Sequence, residues 1–230
     1  MAHKKFPADF IYENLMMESN VIHAAYQNGV KKLLFVASAC VYPREASQPL
    51  KEEYLNTGPF DESVEAYGVA KLAGIKLCEF YRKQYGSDFI SIIPTNLYGP
   101  NDNYDPENSH VLAALLRKFW LAVKNNEQEV EVWGTGNVYR EFLHVDDLAT
   151  ACLFLLENYS DKTPVNIGTG VDMTIRELAL LIKKVSGFSG ELRFDTSKPD
   201  GAPKKQMDIS ILESIGWRPQ IEIETGIREI

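Results

Sequence analysis

The chain has 230 residues, 45% hydrophobic and 24% charged, with a formal net charge of −8 at pH 7. This length and composition are those of a globular protein with one domain, or one domain and a small lobe. The acidic balance argues against nucleic acid or an anionic membrane as a partner, and no apolar run approaches the ~18 residues of a transmembrane helix. The three widely spaced cysteines form neither a disulfide framework nor a metal cluster, so we expect a reducing, cytoplasmic environment.

Strand-like and helical patterns alternate along the first half of the chain. Short apolar runs predict buried strands, and a spacing of three to four between apolar residues predicts helices. The polar stretch 44–64, with its prolines and glycine, predicts a loop rather than a helix or strand. The predicted elements are a helix from Asp9 to Asn28, a strand from Lys32 to Ala37, a helix from Ala66 to Tyr85 and a strand from Phe89 to Pro94.

The second half continues the alternation with shorter elements. We expect a carboxylate, from Asp146 or Asp147, to cap the helix that follows. Thr174-x-x-Glu177 predicts a capping box at the start of another helix. Further predicted elements are a helix from His110 to Asn125, a strand from Val130 to Trp133, a tight turn at 134–137, an extended segment at 141–145, a helix from Leu148 to Glu157, a strand from Val165 to Gly168, a helix ending at Ser186 and a short helix from Ser210 to Ile215. This alternation is typical of a parallel α/β fold.

A group of reactive side chains follows the first predicted strand. Ser38 and Cys40 lie at its carboxyl end, where open parallel sheets bind their ligands. Tyr67 and Lys71 are four residues apart and therefore share one face of the second helix. We expect the nearby ammonium to lower the pKa of the Tyr67 phenol, which would make the phenol a better proton donor or acceptor near neutrality.

These motifs resemble those of an enzyme family. Ser38 followed by Tyr-x-x-x-Lys at Tyr67 is similar to the reaction centre of short-chain dehydrogenases/reductases. Ser-x-Cys-x-Tyr-Pro at 38–43 and the helix from Tyr67 to Glu79 resemble the GDP-L-fucose synthase family of the extended, nucleotide-sugar branch. The segments 94–100, 108–111, 133–136 and 140–147 extend the resemblance.

The resemblance implies an α/β fold with a partial Rossmann-type parallel sheet, flanking helices and a smaller mixed α/β lobe. Residues 1–100, joined by 140–168, would form the Rossmann-type domain, and 101–139 with 169–230 the substrate-binding lobe. The family begins with a glycine-rich phosphate loop that we do not find in these residues. On this basis we expect the chain to bind GDP or a GDP-sugar and to bind NADPH at least ~100-fold more weakly than a complete family member.

The resemblance also implies a reaction and the residues that perform it. The family epimerises C3 and C5 of GDP-4-keto-6-deoxy-D-mannose and then reduces C4 with NADPH. Cys40 and His110 would be the acid–base pair of the epimerisation, because a thiol (pKa ~8.5) and an imidazole (~6.5) both titrate near neutrality. Ser38 and Tyr67 would hold the C4 oxygen, and Lys71 the nicotinamide ribose.

Binding residues and oligomeric state come from the same resemblance. The two long helices would form an intersubunit bundle in a homodimer, and no metal ion is expected. NADP(H) would contact Val36, Ala37, Ser38, Ala39, Lys71, Pro94, Thr95, Asn96, Leu97 and His110. The GDP-sugar would contact Lys118, Trp133, Arg140 and Asp200.

Two other functions stay open at this stage. The chain could be a catalytically impaired remnant that binds the GDP-sugar, or another nucleotide-sugar epimerase or dehydratase of the same superfamily. Cys40 could also be a packing residue, and we interpret His144, which precedes two aspartates, as structural.

Overall fold

The computed structural model describes residues 5–106 and 108–230. In this part of the chain, no helix is long and apolar enough to cross a membrane. The helices are α1 (Pro7–Gln27), α2 (Glu65–Tyr85), α3 (Val111–Asn125), α4 (Val145–Asn158), α5 (Ile175–Ser186), α6 (Ser210–Ser214) and α7 (Ile223–Arg228). The strands are β1 (Lys32–Val36), β2 (Asp88–Pro94), β3 (Asn96–Tyr98), β4 (Glu129–Trp133), β5 (Tyr139–His144), β6 (Val165–Ile167), β7 (Asp172–Thr174) and β8 (Glu191–Asp195).

A parallel sheet in the order β1-β2-β6 lies at the centre of the first part of the fold. Successive side chains of a strand point to opposite sides. The middle strand, β2, therefore contributes side chains to both faces of the sheet, and both sets are buried. Phe89 and Ile93 pack with the apolar side chains of α1 and α2. Ile90 and Ile92 pack on the other side, against residues of α4 and α6. The sheet, with helices on both faces, confirms the predicted α/β class.

Two smaller sheets accompany the first. Strand β5 pairs in parallel with β3 and antiparallel with β7, while β4 pairs in parallel with β8. A separate apolar core joins α3, α5 and the strands around them, with Phe119 and Leu178 fully buried. The boundaries that the sequence suggests for two lobes stay a prediction.

The sequence analysis is wrong about the start of α4. The capping group is the His144 ring, whose Nδ1 accepts a hydrogen bond from the Asp146 backbone N–H. Asp147 is instead buried, and its carboxylate accepts hydrogen bonds from the backbone N–H groups of Gln220 and Ile221. The carboxylate therefore anchors a C-terminal segment that is distant in sequence. The capping box at Thr174 is confirmed.

The polar loop at 44–64 is fixed to the fold by a buried hydrogen-bond network. The Tyr42 hydroxyl donates to Oδ1 of Asn166 at 2.6 Å, and Nδ2 of Asn166 donates to the Leu50 carbonyl at 2.8 Å. Leu50 is 2% exposed and forms an isolated bridge to Met207. The network links β6 to the loop that comes after β1. It therefore holds the first residues of this loop beside the sheet edge.

Candidate active site

The carboxyl ends of β1 and β2 lie side by side and form the base of the site. Val36 is in register with Ile92, and the Ala37 backbone N–H donates to the Ile92 carbonyl at 2.8 Å. The next residue, Ser38, leaves the sheet and begins a single turn of 3₁₀ helix over Ala39–Val41. Polar side chains after β1 are therefore brought to the edge where parallel sheets bind ligands.

Helix α2 lies very close to this turn because Gly68 has no side chain. A Cβ atom at Gly68 would lie 2.6 Å from the Cys40 carbonyl oxygen, well inside van der Waals contact. The close approach places Tyr67, the residue before this glycine, against the turn. The Ser38 and Cys40 side chains are near enough to the Tyr67 phenol to affect its pKa.

The expected effect of Lys71 on the Tyr67 phenol is wrong. Burial is the largest cause that raises the pKa of Tyr67 to about 12; the Cys40 and Glu18 side chains contribute to this rise, and Ser38 opposes it. Lys71 does not lower this pKa as expected, because its ammonium is already compensated by a carboxylate. Nζ of Lys71 lies 2.8 Å from Oε1 of Glu18. Tyr67 is consequently a protonated phenol at neutral pH, as a proton donor must be.

Lys71 is held from several sides. Its ammonium donates to the Val36 carbonyl at 3.1 Å, besides pairing with Glu18. It also lies 5.1 Å from the ring centroid of Phe35 and 5.6 Å from that of Tyr67. The ammonium is therefore fixed at the end of β1, next to the phenol.

The second predicted cofactor segment begins where β2 ends at Pro94. The Thr95 backbone N–H donates to the Ile167 carbonyl at 2.9 Å, and the Thr95 hydroxyl donates to the Glu141 carbonyl at 3.3 Å. The Asn96 side chain donates to that same carbonyl at 2.9 Å. Leu97 packs against the core formed with α4. These contacts join β2 to β5 at the same edge.

His110 occupies the N-cap position of α3 and is exposed. Within the described ranges, its side chain accepts no capping hydrogen bond from the helix. The ring is therefore not committed to the helix end. Its pairing with Cys40 stays a prediction.

A second group of predicted residues lies where α3 meets β4. Nζ of Lys118 donates to the Glu131 carbonyl at 2.9 Å and lies 5.0 Å from the ring centroid of Trp133. Lys198 lies 5.4 Å from the same ring, which is 53% exposed. Burial lowers the pKa of the Lys118 ammonium, and the Glu131 and Asp195 carboxylates oppose this. The group combines an exposed indole with two cations.

Asp200 is fixed beside this group. Its carboxylate accepts hydrogen bonds from the backbone N–H and the hydroxyl of Thr135, each at 2.8 Å. Nη1 of Arg140 donates to the Ala202 carbonyl at 2.7 Å, and the nearby Asp200 carboxylate opposes the lowering of the Arg140 pKa by burial. The segment predicted as a tight turn at 134–137 therefore connects strands of two different sheets and is held by Asp200.

Sequence reasoning missed two buried carboxylates around the site. Glu18 pairs with Lys71, as described above. Glu141 is fully buried and accepts hydrogen bonds from the backbone N–H groups of Thr169 at 2.5 Å, Gly170 at 2.8 Å and Met207 at 2.6 Å. Both interrupt apolar sequence patterns, and that is the signal that could have revealed them.

The fold and the site define an extended short-chain dehydrogenase/reductase: a parallel α/β sheet with Ser38, Tyr67 and Lys71 at its carboxyl edge. The model of the NAD dependent epimerase/dehydratase family matches residues 1–168. The chain is 56% identical over 228 residues to putative GDP-L-fucose synthase 2 of Arabidopsis thaliana, covering 99% of this chain and 70% of that protein. It is 51% identical over 236 residues to GDP-L-fucose synthase of Escherichia coli K12, covering 99% and 74%.

Solved structures agree with these relatives. A GDP-L-fucose synthetase from Naegleria fowleri bound to NADP matches with a TM-score of 0.92 and 34% identity, over 97% of this chain and 72% of that one. A GDP-mannoheptose C4 reductase from Campylobacter jejuni with NADP bound matches with a TM-score of 0.90 and 42% identity, over 100% and 77%. The chain therefore belongs to the NAD dependent epimerase/dehydratase family, and within it to the GDP-L-fucose synthases.

Proposed function

We propose that this protein converts GDP-4-keto-6-deoxy-D-mannose to GDP-L-fucose by epimerising C3 and C5 and then reducing C4. The observation that carries the proposal is the close approach of α2 to the turn after β1 at Gly68, which places Tyr67 against the turn that holds Ser38 and Cys40, with Lys71 one helical turn away. These four residues have the chemistry that the reaction requires, and their location at the sheet edge supports the proposal.

The epimerisation needs a base and an acid on opposite sides of a carbon next to the keto group. Hydrogens at C3 and C5 are acidic because the negative charge left by their removal spreads onto the C4 oxygen. The Ser38 and Tyr67 hydroxyls would donate hydrogen bonds to that oxygen. We assign the proton transfers at carbon to Cys40 and His110.

The reduction uses the same oxygen. Tyr67, protonated at neutral pH, would donate its proton to the C4 oxygen as the carbonyl becomes an alcohol. NADPH, when bound, supplies the hydride to C4. Tyr67 and Ser38 would thus both donate to the C4 oxygen in the epimerisation and in the reduction.

The residues at the sheet edge fit a nicotinamide cofactor. Lys71 presents an ammonium to a ribose hydroxyl, and the exposed Val36 side chain at the end of β1 offers apolar surface. Ala37, Ser38 and Ala39 continue from that strand end. We assign the second wall to Pro94, Thr95, Asn96 and Leu97, and NADP(H) rather than NAD(H) as the cofactor.

GDP would bind where α3 meets β4. Lys118 and Arg140 carry the positive charge for a diphosphate, Trp133 presents an exposed ring to the base or ribose, and Asp200 can accept hydrogen bonds from hydroxyl or amino groups.

We also propose a homodimer, supported by exposed apolar residues on α1 and α2. A cytoplasmic location is supported by three free thiols.

The test is to incubate the protein with the 4-keto sugar nucleotide in D2O and follow C3 and C5 by NMR, first without and then with NADPH. We expect solvent deuterium at both carbons and, after NADPH addition, GDP-L-fucose. Tyr67→Phe should slow the exchange only in part, because Ser38 still donates to the C4 oxygen, and should lose ~10²–10⁴-fold in reduction rate. Reduction without exchange would identify a C4 reductase, and GDP binding without either step a binding remnant.

A further inference from the structure

Helix α1 places a carboxylate inside the apolar interface that it forms with β1 and α2. Glu18 is 6% exposed and one helical turn before the buried Ile22, and its Oε2 and the Phe35 ring both lie next to Gly74. An ionised carboxylate taken out of water destabilises the fold unless a cation and hydrogen bonds compensate it. Glu18 lies on the face of α1 that otherwise packs apolar side chains, so its carboxylate needs a specific partner.

That partner is Lys71. Its Nζ lies 2.8 Å from Oε1 of Glu18, and the two side chains are 15% and 5% exposed. Over the described residues, no other hydrogen-bond donor reaches either oxygen of the carboxylate. The carboxylate is therefore buried against a single cation, and it cannot lose this contact without becoming an unpaired buried charge.

The space for the pair is created by Gly74. A Cβ atom at this position would overlap the Phe35 ring and would lie 2.9 Å from Oε2 of Glu18. The small residue thus lets α2 approach α1 and β1 closely, with the carboxylate enclosed between them. Phe35 also covers the ammonium, at 5.1 Å from its ring centroid to Nζ.

We propose that Glu18 is a positioning residue for the reduction: it fixes the Lys71 ammonium at the end of β1 and neutralises its charge beside Tyr67. This rests on the proposed function. Lys71 would otherwise be an uncompensated cation near the phenol. Glu18 acts through Lys71, the proposed contact of the nicotinamide ribose, so its main effect is on the reduction.

The groups that act on the phenol are consistent with this role. Tyr67 is affected by Cys40 and Glu18, which raise its pKa, and by Ser38, which lowers it. Glu18 itself has a pKa raised by burial, while the hydrogen bond and charge of Lys71 lower it. Removing the carboxylate charge while keeping Lys71 would leave a net positive charge near Tyr67 and lower the pKa of the phenol.

The test compares Glu18→Gln with Glu13→Gln, a matched change at an exposed position of the same helix. For Glu18→Gln we expect the KM for NADPH to rise and kcat of reduction to fall, together by about 10- to 100-fold. Deuterium exchange at C3 and C5 should change much less, because Cys40 and His110 transfer the protons in that step and Ser38 still donates to the C4 oxygen. General damage to the fold would slow the exchange and the reduction equally, and that result would overturn the proposal. A reduction rate equal to that of the unchanged chain would also overturn it.

A second readout needs no turnover. Tyrosines labelled with ¹³C at Cζ, with Tyr67 assigned through Tyr67→Phe, should show that the phenol titrates about one unit lower in Glu18→Gln than in the unchanged chain. An unchanged titration would overturn the proposal. This readout decides the role of Glu18 even if the unchanged chain reduces no 4-keto sugar, a result that would refute the proposed function alone.

A shorter carboxylate covers the case in which Glu18→Gln does not fold. Glu18→Asp keeps the charge but withdraws it by one methylene from Lys71. We expect it to fold, to keep the exchange at C3 and C5, and to lose about 3- to 10-fold in reduction. A folded Glu18→Asp that reduces as fast as the unchanged chain would show that the 2.8 Å contact does not matter.

Discussion

The Lys118 ammonium lies over the Trp133 ring, with Nζ 5.0 Å from the ring centroid. Both residues are predicted to bind the GDP part of the substrate. The structure also contains a close analogue of this pair on the same helix. Lys124 lies 4.6 Å from the ring centroid of Trp120, on the side of α3 that faces a cavity of about 720 Å³ instead of the proposed GDP site. The two pairs therefore permit a direct comparison.

Lys118→Met should weaken GDP binding about 10-fold, because it removes one charged hydrogen bond to the diphosphate while keeping the aliphatic part of the side chain. Its affinity should also depend less on salt than that of the unchanged chain. Calorimetric titration with GDP at two salt concentrations measures both effects. Lys124→Met is the control and should bind GDP normally; equal losses in the two variants would contradict the assignment.

Cys40→Ser tests the epimerisation separately from the reduction. A hydroxyl is a far weaker acid than a thiol, so the variant should lose ~10²–10⁴-fold in deuterium exchange at C3 and C5 while GDP binding is retained. NMR of the sugar in D2O provides the measurement. Cys152→Ser changes a half-buried thiol on α4 and serves as the control. Exchange at the normal rate in Cys40→Ser would make Cys40 a packing residue.

The sequence predicts the elements that carry strong periodicity. The α1 and α2 helices and strands β1 and β2 agree to within two residues with the structure, because their apolar spacing reflects burial that the chain itself encodes. Strand β8 was missed, since only its pairing with β4, some 60 residues earlier, makes Glu191–Asp195 a strand.

The same distinction applies to the site. Tyr67 and Lys71 could be found because a spacing of four places them on one helix face, and Ser38 because it follows the end of a predicted strand. The effect of Lys71 on the phenol could not, because it depends on Glu18, which belongs to another helix. Glu18 nevertheless falls in an apolar stripe with Leu15 and Ile22, and an acidic residue there indicates a buried cationic partner.

Glu141 should make the stability of the fold depend on pH. Burial raises its pKa from 4.5 to about 6, against the opposing backbone hydrogen bonds from Met207, Gly170 and Thr169. The folded state therefore binds more protons than the unfolded state between these two values. The contribution to stability is fully present below pH 4.5 and is lost as the pH rises to 6, a fall of about 2 kcal/mol in the free energy of unfolding.

Glu141→Gln should remove this dependence and, because a carboxamide offers one acceptor atom instead of two, destabilise the fold at pH 7 by about 1.5–3 kcal/mol. Denaturant unfolding from pH 4.5 to 7 measures the free energy of unfolding of the variant and of the unchanged chain. The other titrating groups contribute equally to both, so the difference between the two curves reports Glu141. Glu157→Gln, at an exposed position of α4, should leave both stability and its pH dependence unchanged. A parallel pH dependence in Glu141→Gln and the unchanged chain would mean that Glu141 does not titrate in this range.

The proposed homodimer can be tested on the outer face of α1. Met17 and Val21 are 58% and 57% exposed and one helical turn apart, and Phe80 on the adjoining α2 is 54% exposed. A second copy would cover this apolar face. We expect the unchanged chain to sediment as a dimer at micromolar concentration, and Met17→Lys with Val21→Lys to sediment as a monomer with unchanged circular dichroism. Leu153→Lys, at a 65% exposed position of α4, should stay dimeric; a monomeric unchanged chain would contradict the proposal.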